Sequence, residues 1–214
     1  MVPAPAHHRA HCRARHRGDP SQRTVGSARG NFRERAMTDK TQSPIGRENG
    51  IGSDIGWADT VRFRLPAGWT VDVEEHEGQP VGSFRPPPPA VGVLRLVTDR
   101  VTPRPDSGGT AGTLREMALR FVRPQDPRAG DRTVESRADG AVIAQAMMRT
   151  EEDGRAETHY LWLVGAERPP AGGRDAVAAV AMFSFALPDL MDGDESCAEM
   201  LGRIDDAIRN AEII

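Results

Sequence analysis

Near the start of the chain, His7, His8, His11 and Cys12 have the types and spacing that could ligate a transition metal. Imidazole and thiolate bind such an ion when an ordered backbone holds them, and a structural site needs a further pair of ligands some distance away. The other histidines and cysteine of the chain, His16, His76, His159 and Cys197, are scattered singles. No metal is therefore expected. A second cluster, Asp189, Asp192, Asp194 and Glu195, has oxygen ligands suited to calcium. It lacks the alternating ligands, internal glycine and distal glutamate of a calcium loop. Capping of a following helix by Asp192 and Glu195 explains it without an ion.

Of the body histidines, His76 lies among Glu74, Glu75 and Glu77 and reads as a solvated turn residue. His159, beside Tyr160 in a strand pattern, reads as a hydrogen-bonded structural residue. Gly82-Ser83 has none of the flanking pattern of an activated serine, and no phosphate loop, dinucleotide-binding glycine pattern, Cys-x-x-Cys or His-Glu-x-x-His motif occurs. No catalytic residue and no cofactor are expected. Trp69, Tyr160 and Trp162 remain as side chains that would anchor a partner if exposed, with His159 as a further binding candidate.

The elements that must position these residues follow from periodicity. Val61, Phe63 and Leu65 alternate with arginines, and Trp69, Val71 and Val73 continue the alternation after Pro66-Ala67-Gly68, so a hairpin or one bent strand is expected. A strand over 81–85 ends at the prolines 86–89, which lack backbone donors and read as a stiff connector. Another strand covers 91–97. Thr113-x-x-Glu116 has the spacing of a capping box, and Leu114, Met117, Ala118, Phe121 and Val122 draw one helical face that Pro124 stops. Strands over 132–138, 141–150 and 155–165 are joined by Asp139-Gly140 and Asp153-Gly154 turns, as in a meander. The strand over 176–186 is apolar on both faces and so belongs in the centre of a sheet. Cys197, Leu201, Ile204, Ile208 and Ala211 then form the stripe of a C-terminal amphipathic helix. The sum is an α+β domain: an antiparallel sheet of six to seven strands packed with helices.

With 214 residues, 38% apolar and 28% charged, the chain suits one full core rather than two. The net charge of −3 hides a division. Residues 1–36 carry eight arginines against Asp19 and Glu34, a net of +6, which leaves −9 for residues 37–214. Only Val2, Val25 and Phe32 are bulky and apolar in the first segment, so it is expected to be a disordered basic leader. An ordinary polar N-terminus begins at Met37, and purine-rich codons for Arg33-Glu34-Arg35-Ala36 would read as a bacterial ribosome-binding site. The leader is accordingly read as lying upstream of the true start at Met37. A basic arm on nucleic acid and an organelle transit peptide are the competing readings. Residues 37–58, rich in Gly, Ser, Pro and Asn, read as a flexible lead-in to a single domain over 59–214. With no apolar run long enough for a signal or a membrane span, a cytoplasmic location is expected.

Phe63-x-Leu65-Pro66-x-x-Trp69, Gly92-Val93-Leu94-Arg95-Leu96, Tyr160-x-Trp162, Phe183-Ser184-Phe185 and the ending Ile208-Arg-Asn-Ala-Glu212 resemble a group of small uncharacterised bacterial proteins of the Mog/PsbP-like fold. The resemblance covers about 150 residues, through core and turn positions. It implies an α/β/α sandwich of a kind that includes a Ran-binding protein, photosystem assembly factors and chaperone-adaptors of bacterial secretion systems. It brings no catalytic motif. Three functions follow as expectations. The foremost is a non-catalytic module, adaptor or chaperone-like, that binds a protein partner. The second is an immunity protein whose acidic body meets a basic toxin. The third is an enzyme whose site, such as His159 with a carboxylate, is assembled only by folding.

Overall fold

Alternating apolar and polar side chains put one face of each strand against a core, and here they do so on two sheets. The computed structural model describes residues 47–49, 52–104, 106–121, 129–152, 154–169 and 176–214. The basic leader over 1–36, with His7, His8, His11 and Cys12, lies outside the described residues, as do Val122, Pro124 and Asp153. The elements are β1 (Arg47–Asn49), β2 (Gly52–Trp57), β3 (Val61–Leu65), β4 (Thr70–His76), β5 (Gln79–Arg85) and β6 (Val93–Val101). After them come α1 (Gly109–Arg120), β7 (Ala129–Ser136), β8 (Val142–Glu152), β9 (Arg155–Arg168) and β10 (Val177–Pro188). A 3-10 turn (Asp189–Met191), α2 (Glu195–Arg209) and β11 (Glu212–Ile213) complete the chain.

The large sheet has seven strands in the order β4-β5-β6-β10-β9-β8-β7, and the small one has the order β1-β2-β3-β11. Every strand pair is antiparallel. β10 lies in the middle, as its two apolar faces require. Ala181, Phe183, Phe185 and Leu187 join Phe84, Leu94, Leu96, Trp162 and Val164 in a core closed by Cys197, Ile204 and Ile208 of α2. The small sheet covers the rest of that face through Ile55, Trp57, Val61, Phe63 and Leu65. Phe63 stands edge-on to Phe84 and Phe183, with ring centres 5.6 and 5.2 Å away. On the opposite face, Val142, Ala144, Leu163, Ala178 and Val180 pack against Leu114 and Ala118 of α1. The fold is α+β, with a seven-stranded antiparallel sheet carrying a helix on each face.

Several elements depart from the expected reading. The stretch over 37–58 is not lead-in throughout: 52–57 is a strand with Ile55 and Trp57 buried, so the ordered domain begins ahead of 59. The two alternating runs flanking Pro66-Ala67-Gly68 form neither a hairpin nor one bent strand. β3 belongs to the small sheet and β4 to the large one, and the turn carries the chain between them. α1 begins at Gly109, capped by Gly108 rather than by Thr113. Thr113 is buried in the second turn, with its hydroxyl 2.7 Å from that of Ser107. The cap of α2 is Asp194, whose carboxylate accepts from the backbone N–H of Ser196 at 3.0 Å and of Cys197 at 3.2 Å. Asp192 is committed elsewhere. Ahead of β6, Gly92 has φ 108°, and a Cβ there would lie 2.3 Å from the ring of Phe185, so the chain enters this strand only with glycine.

Candidate functional site

The helix α2 and the turn before it are laid across β8 and β9 by a ladder of polar contacts. Alternation along β9 sends Thr158, Tyr160 and Trp162 to the α2 side, and each meets one carboxylate. Thr158 donates to Asp189 at 2.9 Å, the Tyr160 hydroxyl to Asp192 at 2.6 Å, and the Trp162 indole N–H to Asp205 at 2.8 Å. From β8, Arg149 donates to Asp192 at 3.0 Å and stands 3.5 Å from Asp189. Arg209 of α2 ties Asp205, Glu135 and Gln145 together at 2.7, 3.0 and 2.9 Å.

Within this ladder the Tyr160–Asp192 pair is electrostatically coupled. Burial, then the hydrogen bond to Asp192 and its negative charge, push the Tyr160 phenol up to about 12. The same bond and that from Arg149 hold the Asp192 carboxyl below its usual range. The contacts of Tyr160 and Trp162 join the turn before α2, and α2 itself, to β9.

His159 lies on the opposite face of the sheet from its neighbours Tyr160 and Thr158. Its Nε2 is 3.1 Å from the Thr150 hydroxyl and 3.4 Å from a Glu157 carboxylate oxygen. A histidine and a carboxylate do meet, on a strand surface. Trp162 is 1% exposed and Trp69 9%, so neither presents a ring face as a partner anchor; both are core residues. Tyr160 is partly buried, stacked on Trp162 at 6.4 Å, with its hydroxyl spent on Asp192. The acidic group at the start of α2 does not converge either. Asp189 and Asp192 face Thr158, Tyr160 and Arg149, whereas Asp194 faces the helix N–H groups. Among the described residues, no group of three or more His, Cys, Asp or Glu is placed to hold a metal ion.

Concave surface occurs where three distant segments meet. Pro66, Ala67 and Trp69 come from the crossing between the sheets, Pro86, Pro87 and Ala90 from the connector after β5, and Ser196, Glu199, Met200 and Arg203 from α2. They enclose about 160 Å³. Ligand pockets for small molecules run to about 300–1,000 Å³, so this one has room for about one or two side-chain-sized groups. Its lining is mainly apolar, and the two charged residues in it, Glu199 and Arg203, are paired with each other at 2.6 Å. A second hollow of about 110 Å³ lies between α1 and the end of β6, lined by Val101, Arg104, Met117 and Arg120 among others. His159, Tyr160 and Trp162 line neither hollow. Of the four expected binding residues, only Trp69 reaches a concave surface. The others in that pocket, Ala67 and Met200 above all, carried no signal beyond the proline run that walls it.

The class defined by these observations is an α+β domain with a braced C-terminal helix and a small apolar pocket beside it. Among the described residues, no helix is long and apolar enough to cross a membrane. No family model and no curated protein matches the chain. Among solved structures it is similar to LpqN, involved in cell envelope biogenesis of Mycobacterium tuberculosis. The TM-score is 0.43 at 14% identity, over 80% of this chain and 89% of that one.

Proposed function

We propose that this domain is a non-catalytic protein-binding module of adaptor or chaperone type. We place it in the Mog/PsbP-like group its sequence resembles, acting in the cytoplasm on a protein partner. The observation that carries the reading is the pocket lined by Trp69. It is mainly apolar, sized for a side chain, and framed by rigid parts: two prolines on one wall and a helix braced to the sheet on the other. Such preorganisation lowers the ordering cost of binding.

Ala67 is exposed on the turn that rims the pocket, so Ala67→Glu places a charge in it without disturbing the core. Surface changes of this kind alter stability by about 0.5 kcal/mol or less. Affinity purification from the native host with both forms is the test. The unaltered chain is expected to retain one partner at near-equal stoichiometry, and Ala67→Glu to lose most of it at an unchanged melting temperature. Equal retention by the two forms would overturn the reading.

A further inference from the structure

The large sheet ends at β4 on one side and β7 on the other, and the two edges are built differently. β7 carries a register shift between Ala129 and Arg132, and its far end is tied to α2 through Glu135 and Arg209. A bulge of this sort blunts an edge. β4 has neither device. It pairs with β5 without interruption from Thr70 opposite Arg85 to His76 opposite Gln79, and it contains no proline. Among the described residues nothing pairs with its outer side. Val73, on this strand, is 57% exposed.

The charges on that edge are of one sign. Asp72, Glu74, Glu75 and Glu77 lie within six consecutive residues. Arg85 takes up Asp72 at 2.7 Å and Glu74 at 3.3 Å, and Arg95 stands 3.8 Å from Glu74. Among the described residues Glu75 and Glu77 form no ion pair. A second copy pairing antiparallel through β4 would set carboxylates against carboxylates, which is repulsive at cross-strand distance. The same charges attract a strand of opposite sign, so they select as well as exclude.

We infer that the outer edge of β4 is a strand-addition site for an extended basic segment of a protein partner, alternating Lys or Arg with apolar residues. Main-chain hydrogen bonds along β4 hold the segment, as in other sheet-edge recognition. Alternation puts Asp72 and Glu74, which share Arg85 and Arg95, on one face of β4 beside the segment's basic side chains. On the other face the segment's apolar side chains lie beside Val71 and Val73, with the exposed Glu75 at the end of that face for a terminal Lys or Arg. The inference goes beyond the pocket at Trp69 by naming a second surface and the chemistry of what it takes.

The test titrates the full chain with a short labelled peptide alternating lysine and valine, read by fluorescence anisotropy and by amide hydrogen exchange. Saturable binding is expected, weakened by salt, with slowed exchange of alternate β4 amides. Glu75→Lys, at an exposed position, is expected to weaken it about tenfold, and a glutamate–valine peptide to leave the protein untouched. Binding without protection of β4, equal binding of the acidic peptide, indifference to Glu75→Lys, or no binding would each overturn the inference. So would β4 amides already protected in the absence of peptide, since the edge would then be occupied. Ala67→Glu reports on the pocket and Glu75→Lys on the edge, so either reading can fail while the other stands.

Discussion

Tyr160 is the sole tyrosine of the chain, so the absorbance of its phenolate reads one site without interference. Its phenol is held up at about 12, against an ordinary 10, first by burial and then by the bond to Asp192. The folded state therefore grips this proton more tightly than the unfolded one. That stabilisation is fully present below about pH 10 and is lost as pH rises through the folded value. Asp192 runs the other way. Its carboxyl is depressed by the Tyr160 and Arg149 bonds, so its contribution is present above the ordinary carboxyl range of about 3.9 and is lost as pH falls through the lowered value. A native titration at alkaline pH should show phenolate forming near 12, and one in denaturant near 10. Asp192→Asn should bring the native midpoint only part of the way down, because burial is the larger cause and remains. A native midpoint at the ordinary value would show that the 2.6 Å contact and the burial around it do not hold in solution.

Among elements, the two helices each turn one face to the core and one to solvent, and burial separates the positions on them. Ile204 is fully buried between the sheets and the helix axis, whereas Leu119 on α1 is 50% exposed. Ile204→Ala is expected to cost about 2–5 kcal/mol and Leu119→Ala less than about 0.5 kcal/mol, measured by urea unfolding. Similar costs at the two positions would contradict the assignment of the apolar stripe. That stripe was legible in the sequence, as were β7 to β10, because long periodic runs with Gly turns declare themselves locally. β2 was not, since only Ile55 and Trp57 alternate there between glycines and polar residues. The crossing at Pro66-Ala67-Gly68 was hidden for another reason. Alternation looks the same in either sheet, and which strand a run pairs with is decided by residues far away. Asp192 and Asp194 both fit a cap by spacing. What separates them is Tyr160, 32 residues earlier, which claims the first and leaves the second for the helix. The pocket was out of reach in the same way, with its walls drawn from three segments that only the fold unites.

At the scale of the whole molecule, the two faces of the large sheet are covered unequally. The α2 side holds Trp57, Phe63, Trp69, Phe84, Trp162, Phe183 and Phe185 together with the small sheet. The α1 side relies on Leu114, Leu163, Val142 and Val180 with the small Ala118, Ala144 and Ala178. Each large apolar side chain buried adds about 1.5–3 kcal/mol and an alanine much less, so α1 has less to lose by opening. Native-state hydrogen exchange at low denaturant is therefore expected to show the amides of Leu114 and Ala118 opening below the global free energy, by a subglobal event. Those of Val164 and Phe183 should open only with global unfolding. Gly165 supplies the control, because a Cβ there would meet Leu114 at 2.6 Å and Val180 at 3.1 Å, on the α1 side of β9. Gly165→Ala should cost about 1–3 kcal/mol by overpacking. That cost should appear as faster α1 exchange, with the order of the α2 amides unchanged. If α1 instead exchanged together with β9 and β10, its seat would be an integral part of the core, and the two faces would have to be treated as one cooperative unit.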